Sequence, residues 1–336
     1  MNMTSPERSE AAGGYALQIY ERRFIGGEWV APINGQVVES IAPPNGLPWA
    51  RVAFGGPRDV DRAVAAARAA CDGPSRRMPG WECAARLRKL AELYRDFSGD
   101  MAVLESRYSG RAIREARGDV GAHHQWYQWF TSLADKISGR TIPIVDSIHC
   151  FTNPVPVGVV GAITPWNAPM LTTAWKVSPA LAAGCTVVLK LAEQTPVTAL
   201  ELDRLVEQAG FSPGVCNVVP GYWHDAGARL VAHLDANKIA FTGEGRTAKT
   251  ILRHGADNLK RFTFELGGKS PHIIFADADV DQALNAATSS AWAVYGQSWK
   301  DPYSCLKSSN ILKSGARRPA SAAARSASRR STPAAS

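Results

Sequence analysis

No apolar run in this 336-residue chain reaches the roughly 18–20 residues that a membrane-spanning helix needs. Residues Met1 to Gly14 are small and polar, without the apolar core of a secretory leader. The expectation is therefore a cytoplasmic protein with no membrane partner. The six cysteines (Cys71, Cys83, Cys150, Cys185, Cys216, Cys305) show neither a CxxC pair nor a metal-ligand spacing. In a reducing compartment they read as small buried hydrophobes. The seven histidines form no HxxxH pattern, and His123 and His124, being adjacent, cannot face one metal from a helix. No metal site is expected. A G-x-G-x-x-G fingerprint is also missing, which leaves a standard dinucleotide fold poorly supported by motif alone.

Acidic residues are absent from one end. No acidic residue follows Asp301, while Lys307, Lys313, Arg317, Arg318, Arg325, Arg329 and Arg330 all lie beyond Leu306. Removing those seven charges from the net +8 leaves +1 for the rest of the chain, so the basic character belongs to a tail. That tail has no aromatic residue and the body offers no basic face, so nucleic-acid binding is not expected. Ser314–Ser336 consists of Ala, Ser, Arg and Pro without an apolar period, a composition that cannot bury enough surface to fold. A shifted reading frame in a GC-rich gene yields the same composition.

What is present is a 45% hydrophobic body, ample for one large or two smaller cores. Short β-like runs broken by Gly and Pro (Arg23–Ile25, Gln36–Val38, Ala50–Ala53) predict an antiparallel lead-in segment. Helices are predicted over Val60–Cys71, with Asp59 and Asp61 at its amino end, over Glu82–Phe97 and over Ile113–Ile137. The last is rich in aromatics (Trp126, Tyr127, Trp129, Phe130) expected to pack in the core. From Val155 the pattern changes. Val157–Ile163, Thr186–Lys190, Val215–Val219 and Lys238–Phe241 read as strands buried on both faces. They alternate with helices at about Ala174–Ala183, Ala199–Ala209 and Asp225–His233. This predicts an α/β fold with a doubly wound parallel sheet. Phe262–Leu266 and His272–Phe275 are further strand candidates.

Several segments fall at the carboxyl ends of those strands, where open α/β sheets bind ligands. Ile163-Thr164-Pro165-Trp166-Asn167-Ala168-Pro169 closes the first strand, and Lys190 with Glu193-Gln194-Thr195-Pro196 closes the second. Phe241-Thr242-Gly243 closes the fourth, and Phe264-Glu265-Leu266-Gly267-Gly268-Lys269 follows. In this order and spacing they resemble the aldehyde dehydrogenase superfamily, from about Phe24 to Ser298. The resemblance implies oxidation of an aldehyde to a carboxylic acid with NAD. It implies that Ile163, Thr164, Pro165, Trp166, Lys190, Glu193, Gly221, Phe241, Thr242, Gly243, Glu244 and Leu266 surround the cofactor, with Gly243 opening the helix that meets the pyrophosphate. Glu193 would bond the adenosine ribose hydroxyls and repel a 2′-phosphate, which favours NAD over NADP. Asn167 would donate to the oxyanion formed on thiolate attack, and Glu265 would be the general base for thioester hydrolysis. Lys176 reads as structural rather than catalytic.

The chain also departs from the family. The family's nucleophilic cysteine follows a Gly-Gln-Ser-like triplet, but Gly296-Gln297-Ser298 is followed here by Trp299. An indole has no atom that forms the covalent adduct, and Cys305, six residues on, is a poor substitute because catalysis tolerates little misplacement. Leu191, Trp223, Glu244 and Ala248 replace smaller or different residues of the family pattern near the cofactor. The resulting expectation is a flexible lead at 1–15, an NAD-binding domain at 16–266 with an oligomerisation-type hairpin inserted at 139–156, the start of a truncated catalytic domain at 267–305, and a basic disordered tail at 306–336. A homo-oligomer weakened by the break follows, as does an exposed apolar patch including Phe264, Ile273, Ile274, Phe275 and Trp292. The alternative to a working enzyme is a non-catalytic remnant that at most binds NAD.

Overall fold

The computed structural model describes residues 8–10, 16–268, 272–275, 277–297 and 305–306. Its contacts divide the chain into two units, Met1–Gly267 and Gly268–Ser336.

The first unit begins with strands β1 (Arg8–Glu10), β2 (Ala16–Tyr20), β3 (Arg23–Ile25), β4 (Glu28–Val30), β5 (Val37–Ala42) and β6 (Leu47–Ala53). Residues 8–10, expected within a flexible lead, are therefore a strand, paired antiparallel with β2. Gly26 and Gly27, both at positive φ (65° and 89°), turn β3 into β4 as a hairpin of their own. That extra reversal brings β6 alongside β2 in parallel, so the lead-in sheet, of order β1-β2-β6-β5, is mixed rather than antiparallel throughout.

Four helices follow: α1 (Pro57–Ala70), α2 (Gly80–Asp96), α3 (Ser98–Ser109) and α4 (Ile113–Thr131). Pro57 fits the first turn of α1, and the Asp59 carboxylate accepts from the Gly56 amide at 3.0 Å. Val60, Ala63, Val64 and Ala67, spaced as one helix face, are buried. The fourth helix stops at Thr131, short of Ile137. There Thr131 and Ser132 turn their hydroxyls back to the carbonyls of Tyr127 and Trp129, an alternative to continuing the helix. Its aromatic run divides. Tyr127 is fully buried against Tyr94 and His123, while Trp129 is 61% exposed, so only part of the run packs in the core. A hairpin of β7 (Thr141–Pro143) and β8 (His149–Phe151) then presents Ile142, Ile144, Val145, Ile148 and Phe151 to solvent.

The centre of the unit is a parallel sheet of β9 (Val159–Ile163), β10 (Thr186–Lys190), β11 (Cys216–Val218), β12 (Lys238–Gly243) and β13 (Arg261–Leu266), in the order β11-β10-β9-β12-β13. Connections run through α5 (Pro169–Ala182), α6 (Val197–Gln208), a π-helical turn at Trp223–Gly227 leading into α7 (Ala228–Ala232), and α8 (Gly245–His254). Alternation along each strand feeds two cores. Val160, Ala162, Val187 and Leu189 pack with α2, α5 and α6. Val159, Ile163, Val188, Ile239 and Phe241 pack with α1, α7 and α8. This is the doubly wound arrangement: β9, β10, β11 and β12 are largely buried on both faces, whereas β13, at the edge, leaves Arg261, Thr263, Glu265 and Leu266 exposed. Among the described residues no helix is long and apolar enough to cross a membrane.

In the second unit β14 (His272–Ile273) pairs in parallel with β15 (Cys305–Leu306). Helix α9 (Val280–Trp292) is capped by the Asp279 carboxylate, which accepts from Gln282 N at 3.0 Å, and buries none of its residues. Ile273, Phe275 and Trp292 are exposed, whereas Phe264 and Ile274 are half-buried. Trp299, Lys269 and the basic tail beyond Leu306 lie outside the described residues.

Candidate active site

The order of the parallel sheet reverses between β9 and β12, the position at which such sheets open a crevice at their carboxyl ends. Ile163, the last residue of β9, lies in register with Lys190 and Phe241. The chain then leaves the sheet through Thr164, whose amide donates to the Lys190 carbonyl at 3.1 Å. Thr164 is buried and its hydroxyl has no partner among the described residues. Pro165 is half-buried and Trp166 exposed, while Asn167 is buried immediately before α5, which begins at Pro169.

On the β10 side the buried Lys190 ammonium donates to Glu193 Oε1 at 2.8 Å. The same oxygen accepts from the backbone amide of Trp223 at 2.7 Å. Burial lowers the Lys190 pKa and the Glu193 charge opposes that shift. The carboxylate thus joins the loop after β10 to the loop after β11. Gly221 permits this second loop to close: a Cβ there would stand 2.5 Å from the Gly55 carbonyl oxygen.

On the other side Thr242 and Glu265 are register partners across β12 and β13, and so are Gly243 and Leu266. Thr242 is buried and its Oγ1 accepts from Lys176 Nζ at 2.6 Å. Cross-strand partners share a face, which brings the Lys176 ammonium under the influence of Glu265. Burial pulls the Lys176 pKa down to about 8, with Glu265 opposing. Glu265 and Leu266 are exposed. Phe241 and Phe264, on the opposite face, meet edge-on at 6.2 Å, and a Cβ on Gly243 would strike the Phe241 ring at 2.5 Å.

One boundary differs from expectation. Gly243 closes β12, Glu244 is the N-cap, and α8 opens at Gly245. The Glu244 carboxylate is exposed and pairs with Arg246 at 3.4 Å, so its charge is turned outward and partly neutralised. The first turn of α8 nevertheless presents amides without an i−4 acceptor, a ready anion site. The structure therefore brings all the motif residues before position 267 to one end of one sheet. The contact between Lys176 and Thr242 was not foreseen from the sequence. A lysine in a largely apolar helix carries little signal, and its partner Thr242 lies 66 positions away.

The set can hold a polyol at a carboxylate, an anion at a helix terminus, and a developing negative charge near Asn167. The model described as "Aldehyde dehydrogenase family" matches residues 29–309. An aldehyde dehydrogenase of Enchytraeus buchholzi is 43% identical over 299 residues, covering 88% of this chain and 60% of that protein. Retinal dehydrogenase 2 of Homo sapiens is 43% identical over 282 residues, covering 83% and 54%. An NAD+ complex of aldehyde dehydrogenase from Bacillus cereus is similar with a TM-score of 0.83 at 41% identity, over 85% of this chain and 59% of that one. Betaine aldehyde dehydrogenase from Staphylococcus aureus in complex with NAD+ gives 0.85 at 33% identity, over 88% and 59%. This chain spans 60% or less of the length of these relatives and belongs to the aldehyde dehydrogenase family.

Proposed function

We propose that this chain is the NAD-binding portion of an aldehyde-oxidising enzyme, and that it binds the dinucleotide without turning over an aldehyde. The observation that carries the reading is the Lys190–Glu193–Trp223 link at the crevice, facing the amino end of α8 across the switch point. The residues fit a dinucleotide. Gly221 and Gly243 occupy positions where a side chain has no room, and the buried Thr164 hydroxyl awaits a partner.

Bound NAD supplies the hydride acceptor. Glu193 accepts from ribose hydroxyls, and its negative charge disfavours a phosphorylated ribose, so NAD is preferred over NADP. Asn167 offers a side-chain N–H to an oxyanion, a contribution of roughly 2.7–4 kcal/mol to a transition state that needs it. Glu265, exposed at the end of β13, is placed to take a proton from water. Lys176 holds the Thr242 hydroxyl and brings a positive charge toward Glu265. Trp299 stands at the position of the nucleophile in the family pattern, and its indole cannot attack a carbonyl carbon.

Calorimetry with NAD and NADP on the purified chain, alongside NADH production with a panel of aldehydes, tests the reading. NAD binding stronger than NADP binding, with no NADH formed, is the expected result. Failure to bind NAD overturns the cofactor assignment, and NADH formation overturns the role given to Trp299.

A further inference from the structure

We propose that a second cavity, at the amino-terminal end of the parallel sheet and opposite the cofactor crevice, binds a small carboxylate with an apolar body. The cavity holds about 410 Å³, within the roughly 300–1,000 Å³ typical of small-molecule sites. Its walls come from the chain entering β9, β10 and β11 together with the end of α5 and the start of α2. Val155, Leu181, Phe211 and Val215 make the body of the wall apolar.

The polar character is one-signed. Arg76 lines the cavity, and none of the lining residues is Asp or Glu. Arg77 follows directly, and among the described residues neither arginine makes an ion pair. The nearest carboxylates in sequence, Asp72 and Glu82, are already engaged by Arg68 and Arg86. Ser75 also lines the cavity; it is 8% exposed, and its hydroxyl has no hydrogen-bond partner among the described residues. By contrast, the carbonyls ending α5 are occupied: Leu181 O accepts from the Cys83 thiol at 3.2 Å and from Gly184 N, and Ala180 O accepts from Cys185 N. The cavity therefore offers a hydroxyl and cationic charge, without a carboxylate, over an apolar floor. A neutral apolar molecule would leave Arg76 unmatched, and a phosphorylated polyol would leave Phe211 and Val215 unmatched. A monoanion with an alkyl or aryl body satisfies both. Burial pushes the Cys83 thiol up to about 11, so the wall stays protonated at neutral pH and binding is non-covalent.

Octanoate is a suitable probe below its micellar concentration, with 1-octanol as the uncharged control, both titrated calorimetrically into the full chain. One octanoate per chain is expected, with octanol bound markedly more weakly. Arg76→Gln should weaken octanoate roughly five- to tenfold, the scale of one charge-assisted contact at a solvent-facing rim. Ala183→Trp, which fills the cavity, should abolish binding while leaving NAD binding at the other end of the sheet unchanged. Octanol binding as tightly as octanoate would overturn the charge assignment. Octanoate binding unaltered in both variants would overturn the site. If Ala183→Trp does not fold, Arg76→Gln and Arg77→Gln decide the matter alone.

Discussion

Glu105 carries an unusual burden, since its carboxyl is fully buried among α3, α5 and α6. Tyr108 and Thr198 hydrogen-bond to one oxygen, and the Met170 amide in the first turn of α5 donates to the other at 3.4 Å. Burial pushes the pKa up to about 7 against an unperturbed 4.5, with the Tyr108 bond opposing. An acid whose folded pKa is raised contributes stability fully below its unfolded pKa and loses it as pH rises through the folded one. Over those 2.5 units the loss is about 3 kcal/mol, at 1.36 kcal/mol per unit. Glu105→Gln keeps the shape and an acceptor for Met170 but cannot ionise. Urea unfolding followed by tryptophan fluorescence from pH 4 to pH 8 should give two stability curves that diverge by about 3 kcal/mol. The variant should gain relative to the native chain as pH rises from 4.5 to 7. Parallel curves would refute the argument, because every other titrating group is common to both proteins.

Three further outcomes follow from the same contacts. His123 is fully buried, and burial, with a smaller contribution from His124, pulls its pKa down to about 3. A base with a lowered pKa destabilises the fold as pH falls from about 6.5 toward 3, by roughly 4–5 kcal/mol, and acid titration of His123→Phe should show that sensitivity removed. Thr242→Val takes the acceptor from the buried Lys176 ammonium and should lower unfolding stability by about 1–3 kcal/mol in denaturant melts. On the proposed cofactor reading, Glu193→Gln removes the carboxylate charge held by Lys190 and the Trp223 amide, and calorimetry should show NAD weakened about tenfold and the preference over NADP reduced.

The buried strands were legible because burial on both faces demands an unbroken apolar run, and Val157–Ile163, Thr186–Lys190 and Lys238–Phe241 have one. Their limits were less so. The strand β9 starts at Val159, after Gly158 leaves the extended region at φ 117°. The helix after it starts at Pro169, earlier than the sequence suggested, since a proline that reads as a turn residue also suits a first helical position. Helix α3 went unseen: Ser98–Ser109 has no clean apolar period, and only the left-handed Gly110 marks its end. The motif residues of the site were readable because they terminate strands. Links through space were not, and neither the amide of Trp223 on Glu193 nor Lys176 on Thr242 leaves any trace in local spacing.

Glu265 sits on β13, which among the described residues has a neighbour on one side only. The outer row of amides and carbonyls on this six-residue strand is an open template. Any segment that adds itself there as another strand, whether from the same polypeptide or a different one, gains hydrogen bonds along the strand that carries Glu265. Strand addition at this border would fix the backbone from which the Glu265 side chain projects. Mutations that protect the border from pairing, such as a proline or an inward lysine, change the surroundings of Glu265 as well as the solubility.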